Sequence, residues 1–160
     1  MIKQFLSCDW GTSSFRLRLL DASDNAVLAT VTDGKGIADT YNKWVETGLQ
    51  ENERITFYKN VLLQYITQLN ANVLGLPILM SGMASSSIGI KEIPYGNLPF
   101  DFQMVKLPVE HLAKDQHFNH DIFMIGGLRT GNDAMRGEET ILFGCDVKDV
   151  NGIFIFPGTH

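Results

Sequence analysis

Phe15, Leu17 and Leu19 alternate with Arg16 and Arg18, the period of two expected of a strand with one buried face. Ser14 to Asp21 is therefore predicted to be a strand. The apolar segment Ile2 to Cys8 precedes it, and Ala26 to Thr32 follows the turn-forming Ser23-Asp24-Asn25. Two short connections between three consecutive strands predict an antiparallel meander. The period then changes, because Ile55, Tyr58, Val61, Leu62, Tyr65, Ile66 and Leu69 recur at helical spacing. That predicts an amphipathic helix from Glu53 to Asn70 lying on one face of the sheet.

Pro77-Ile78-Leu79-Met80 is a short apolar run after this helix, and a strand returning through a crossover helix pairs parallel to its sheet. The order so far is β-β-β-α-β. Ser81 to Asn97 is rich in Ser, Gly and Pro and reads as a long loop, of the kind that carries function. Ile122 to Ile125 is predicted as a further buried strand ended by Gly126-Gly127, and Met135 to Phe143 as a helix with Gly144 as its C-cap. Ile153 to Phe156 is predicted as a last strand, running into Pro157-Gly158-Thr159-His160.

Composition narrows the class. With 160 residues, 44% hydrophobic and 19% charged, the chain has the content of a globular domain, at about 150 residues per domain. A formal charge of -5 argues against a nucleic-acid partner, which is bound through clustered Lys and Arg. Apolar runs are shorter than the roughly 20 residues a membrane helix needs, and Met1-Ile2-Lys3-Gln4 does not open a signal peptide. A cytoplasmic location without membrane contact is the expectation. Cys8 and Cys145 form no CxxC pair and are expected to be buried free thiols. Trp44, Phe57 and Tyr65 are expected to pack rather than bind, and His111, His117 and His120 lack a metal spacing.

The candidate chemistry begins in the turn after the first strand, Asp9-Trp10-Gly11-Thr12-Ser13-Ser14. Gly11 allows a tight backbone path, and successive N–H groups with the Thr12 and Ser13 hydroxyls can cradle a phosphate. Asp9, at a strand end, is placed to hold Mg²⁺ together with phosphate oxygens, and Arg16 adds a cation. An ordinary hairpin turn stabilised by an Asp side chain is the plainer alternative.

Asp9-Trp10-Gly11-Thr12-Ser13-Ser14-Phe15-Arg16 resembles the first phosphate motif of the sugar-kinase, heat-shock-protein-70 and actin superfamily. More narrowly, Ser81-Gly82-Met83, Gly89, Pro94-Tyr95, the run from Asn132 to Thr140 and Pro157-Gly158-Thr159-His160 resemble, in matching order, the bacterial 2-dehydro-3-deoxygalactonokinase family. The resemblance spans nearly the whole chain, and Met-Arg-Gly-Glu-Glu-Thr followed by Pro-Gly-Thr-His is its strongest part. Ile90 and Ile93 depart from the family's usual Trp and Ala, and segment 126–132 departs from its commonest version, which bears on substrate identity.

The resemblance implies an α/β, ribonuclease H-like (actin-like ATPase) domain of order β-β-β-α-β-α-β-α with a mixed sheet. It implies ATP and Mg²⁺ as cofactors and transfer of the γ-phosphoryl group to the 6-hydroxyl of 2-dehydro-3-deoxy-D-galactonate, a small-molecule sugar acid, in galactonate breakdown. Under it, Asp9, Arg16, Arg136 and Glu138 are the catalytic candidates. Gly11, Thr12, Ser13, Gly158 and Thr159 would bind nucleotide phosphates, and Asp9 the metal. Ser81, Gly82, Met83, Arg136, Glu138 and Glu139 would bind substrate. Arg136 either meets the substrate carboxylate or salt-bridges Glu138 or Glu139 at a helix start. Of the two glutamates, one is expected to face the cleft and the other solvent. Asp133 is a further candidate base, and the residues leave the choice of base open.

The resemblance also implies a second domain of similar size that completes the nucleotide site. On that reading residues 1–150 are an N-terminal lobe and 151–160 the first strand and phosphate turn of a second, the isolated chain being inactive. The unpaired strand from Ile153 to Phe156 would then offer an edge for self-association. A non-catalytic sugar-acid or nucleotide-binding module of the same fold is the alternative function.

Overall fold

The computed structural model describes residues 2–99, 107–145 and 153–156. The predicted meander is formed by β1 (Gln4–Trp10), β2 (Phe15–Asp21) and β3 (Val27–Asp33), each pair antiparallel. β4 (Ile78–Gly82) returns beside β1 and pairs parallel to it, as its crossover helix requires. β7 (Ile122–Ile125) adds parallel to β4. The short strand β6 (Val109–Leu112) closes the edge antiparallel to β7, giving the order β3-β2-β1-β4-β7-β6.

Strand alternation sorts the side chains. Leu6, Cys8 and Trp10 of β1, Phe15, Leu17 and Leu19 of β2, Ile78 and Met80 of β4, and Ile122 and Met124 of β7 are buried in one core. The helix predicted over Glu53 to Asn70 is α2 (Arg54–Gln68), and it contributes Tyr58, Leu62 and Ile66 to the same core. Removing a Leu-sized side chain from water there is worth about 1.5–3 kcal/mol. The opposite parity, Ser7 and Asp9 with Arg16 and Arg18, lines a cleft instead.

Besides β6, which the sequence did not signal, further elements depart from the sequence expectation. A helix α1 (Ile37–Thr47) precedes α2; its signal was the spacing of Ile37, Tyr41, Trp44 and Val45, ended by Gly48 at φ 68, the left-handed position that glycine favours. β5 (Gly96–Asn97), β8 (Leu128–Arg129) and β9 (Ala134–Met135) form a second, three-stranded sheet, too short to show a period. Consequently the helix predicted from Met135 starts later, as α3 (Glu138–Gly144), and Gly144 lies within it rather than capping it.

Residues 153–156 carry no strand, and Ile153 and Ile155 are largely exposed. The strand expected there is absent among the described residues, since its backbone pairs with no other segment among them. Cys8 is buried as expected, and burial raises its thiol pKa well above the ordinary value; Cys145, just past α3, is exposed, a correction to its expected burial. Among the described residues no helix is long and apolar enough to cross a membrane.

Candidate active site

The β1–β2 turn is closed by the Gly11 N–H donating to the Ser14 carbonyl at 2.9 Å. Asp9 and Arg16 are cross-strand partners beside it, with Arg16 Nη1 3.8 Å from Asp9 Oδ2 and both side chains about half exposed. The start of α1 docks on the far side of the turn: the Ile37 N–H donates to Gly11 O at 2.9 Å and the Ala38 N–H to Thr12 O at 3.1 Å. These peptide units are trans, so each carbonyl and the following N–H point in opposite directions. With the carbonyls of Gly11 and Thr12 turned onto α1, the N–H groups of Thr12 and Ser13 point away from it, and both residues line the cleft. That is the arrangement of an anion-binding turn.

The second wall comes from the end of β4. Gly82 has φ 86, and a Cβ there would lie 2.8 Å from the Trp10 carbonyl; only glycine permits both the backbone and the close approach. Gly137, at φ 115, packs over Gly82 and brings the start of α3 to the β4 end. The resulting cleft, about 550 Å³, is lined by Asp9, Gly11, Thr12, Ser13, Arg16, Ser81, Gly82, Met83, Arg136 and Glu138, all predicted site residues. Ser7, Ser14, Arg18, Gly137, Thr140, Ile141 and Phe156 also line it. Of these, Ser7 and Arg18 were legible, since they share the strand parity of Asp9 and Arg16.

Arg136 is built into the wall. Its Nη1 donates to the carbonyl of Ser85 and to Ser85 Oγ at 2.7 Å, Nη2 to Ile93 O at 3.2 Å and Nε to Tyr95 Oη at 3.4 Å. The guanidinium stacks 4.2 Å from the Tyr95 ring centroid. Of its two readings, the salt bridge to Glu138 or Glu139 is not formed, so its charge has no carboxylate partner among the described residues. The guanidinium thus ties the loop after β4 to β9, and one N–H of Nη2 is left over from the five.

The glutamate pair divides differently from expectation. Glu138 faces the cleft, its Oε2 accepting the Arg136 N–H at 2.9 Å. Glu139 meets neither cleft nor solvent: it is buried, and both carboxylate oxygens accept the Gly137 N–H, at 2.9 and 2.8 Å. Burial raises its pKa above the ordinary carboxylate value. It lies outside the cleft lining and accepts at the start of α3 instead, because the successive positions of a helix point in different directions. Asp133 sits in the exposed β8–β9 turn, where its side chain accepts the Ala134 N–H, and does not line the cleft. Gly158 and Thr159 lie outside the described residues.

Ile90 and Ile93 are buried and absent from the cleft lining, so those two departures alter packing beneath the loop rather than the wall. Trp44, Phe57 and Tyr65 pack against the core as expected. Among the described residues no cluster of three His, Cys, Asp or Glu side chains is arranged around a metal. Asp9, an exposed carboxylate beside the Thr12 and Ser13 hydroxyls of the same cleft, fits a magnesium ion that takes most of its ligands from phosphate and water.

Comparison with known proteins agrees with this geometry. The chain is 26% identical to the 2-dehydro-3-deoxygalactonokinase of Escherichia coli (strain K12), covering 100% of the chain and 48% of that relative. It is 30% identical to a Rhizobium meliloti (strain 1021) protein assigned the same activity, covering 98% of the chain and 47% of that relative. The chain therefore spans about half the length of the curated relatives it matches. A crystal structure from Sinorhizobium meliloti, assigned to the same enzyme, superposes with a TM-score of 0.67 at 28% identity, over 86% of this chain and 40% of that one. Since the family model of 2-keto-3-deoxy-galactonokinase matches residues 9–160, which hold the turn, the β4 end and the Arg136–Glu139 run, the chain belongs to that family.

Proposed function

We propose that the protein carrying this chain transfers the γ-phosphoryl group of ATP to the 6-hydroxyl of 2-dehydro-3-deoxy-D-galactonate, a step in galactonate breakdown. Residues 1–150 form its N-terminal lobe, of the ribonuclease H-like, actin-type fold; 151–160 open a second lobe, on which Gly158 and Thr159 meet phosphate. The observation that carries the reading is the single cleft that joins the Gly11–Ser13 turn and the Asp9–Arg16 pair to the β4 end and Glu138. The antiparallel β3-β2-β1 meander followed by parallel β4 and β7 supports the fold.

Phosphoryl transfer needs positioning and charge neutralisation more than covalent chemistry. In this reading the Thr12 and Ser13 N–H groups donate to phosphate oxygens, and Arg16 offsets their charge. Asp9 would hold magnesium, which when bound supplies further neutralisation. Ser81, Gly82, Met83 and Glu138 orient the sugar acid, and Arg136 lends its unpaired positive charge to the wall that receives the substrate carboxylate. Closure of a second lobe would exclude water and align donor with acceptor, so residues 1–160 alone are inactive.

A coupled ADP-release assay on the complete protein and on residues 1–160, with the galactonate compound and its gluconate epimer, tests this. Turnover by the complete protein alone, with the galactonate compound, is the expected result. Silence from folded complete protein would replace the reading with the non-catalytic binding module.

A further inference from the structure

The Gly11–Ser13 turn presents its N–H groups only while its carbonyls are held from behind, and the residues behind it form a connected strap. Ile37 and Ala38 supply the two N–H groups that take the Gly11 and Thr12 carbonyls. Immediately before them, Gly36 is buried against the turn. A Cβ at Gly36 would stand 2.3 Å from Thr12 O and 2.6 Å from Gly11 O, distances that backbone atoms cannot accommodate without moving. The φ of Gly36 is -91, so the requirement is one of space and not of backbone conformation.

The strap is anchored at its other end. Asp33 Oδ1 accepts the Lys35 N–H at 3.1 Å, and Asp33 Oδ2 accepts from Tyr65 Oη at 2.8 Å. The Tyr65 ring stacks on Phe15, the first residue of β2, with centroids 4.0 Å apart. Thus α2 holds residue 33, and the start of α1 holds the turn. Gly34, two residues from Gly36, has open space where its Cβ would be and provides a matched control.

We infer that Gly36, Ile37 and Ala38, anchored through Asp33, form the positioning strap of the phosphate-binding turn, and that Gly36 is its size-critical point. A side chain there lifts α1 from the turn, lets the Gly11 and Thr12 peptides rotate and misdirects the Thr12 and Ser13 N–H groups. The inference rests on the proposed nucleotide role of the turn. The sugar-acid wall, built on the β4 end, is not touched by it.

The test uses the complete protein with Gly36→Ala, Gly34→Ala and Tyr65→Phe, each checked by circular dichroism. Affinity for the magnesium complex of a non-hydrolysable ATP analogue is measured by calorimetry, alongside KM for ATP and for the sugar acid. Gly36→Ala is expected to weaken analogue binding and raise the ATP KM by about tenfold, with the sugar-acid KM within twofold of wild type and Gly34→Ala unchanged in all three. Unaltered analogue affinity in folded Gly36→Ala overturns the inference, as does an equal loss of both substrates. Should Gly36→Ala fail to fold, Tyr65→Phe decides. It keeps the ring stacked and deletes only the bond to Asp33; about threefold weaker analogue binding supports the strap, and wild-type binding overturns it. Analogue binding by the unaltered protein that Gly36→Ala weakens, without any sugar-acid phosphorylation, would instead refute the proposed function and leave the strap standing.

Discussion

Asp9 and Arg16 face each other across the first hairpin, at register-paired positions, with their charged groups 3.8 Å apart at the mouth of the cleft. An ion pair this exposed contributes only about 0–1 kcal/mol to stability. Its placement in the cleft therefore fits the proposed role in meeting ligand charge better than a role in folding.

Asp9→Asn in the complete protein should lower the phosphoryl-transfer rate by on the order of 100-fold or more while leaving stability within about 0.5 kcal/mol of wild type. Turnover at saturating magnesium and urea denaturation, measured on the same samples, check this. Equal turnover in variant and wild type would remove the metal role.

Gly82→Ala should be costly in both respects. The new methyl meets the Trp10 carbonyl at 2.8 Å, in a backbone conformation of φ 86, for a loss of about 1–3 kcal/mol. Because Trp10 adjoins Asp9 and Gly11, the turn shifts as well. A lowered melting temperature together with a raised KM for both the sugar acid and ATP is the expected outcome.

For Arg136, substitution by Lys should fail to rescue function. Lysine keeps the charge but cannot span the Ser85, Ile93 and Tyr95 acceptors from one planar group. Losing those four hydrogen bonds and the stacking on Tyr95 should cost about 2–4 kcal/mol. Equilibrium unfolding of Arg136→Lys against wild type measures it, and wild-type stability would mean that the wall does not depend on this clamp.

The pH dependence of stability carries a signature of Lys59. This nearly buried ammonium pairs with Asp115 at 2.7 Å and donates to Ala113 O at 3.0 Å. Its hydrogen bond holds the Asp115 carboxyl down at about 2, against an ordinary value of 3.8. A depressed carboxylate pKa stabilises the fold above the unfolded value, and that contribution is lost as pH falls from 3.8 towards 2. Lys59→Met should flatten this part of the acid-unfolding profile relative to wild type, as followed by circular dichroism.

Much of the scaffold was legible because its periods are long enough to read. The seven-residue strands β1, β2 and β3 alternate, and α2 repeats over four turns. α1 is not announced by the sequence, although Tyr41 and Trp44 follow Ile37 at helical spacing; its N-cap, Gly36, offers no side-chain cap to mark a start. The two-residue strands β5, β8 and β9 show no period at all; β8 and β9 pair locally, and only the pairing of β5 with β8, across more than 30 residues, completes the sheet.

The site divides in the same way. By itself the sequence determined the Asp9–Arg16 turn, the face on which Asp9, Arg16, Ser7 and Arg18 lie, and the family motifs, because these depend on local backbone period and residue order. Only the tertiary structure decided that Arg136 clamps a loop, that Glu138 enters the cleft while Glu139 is buried, and that Gly36 must lack a side chain. Each of those turns on which groups from distant segments approach within hydrogen-bond or van der Waals distance, and such distances are set by packing of the sheet against α1, α2 and α3 rather than by neighbours along the chain.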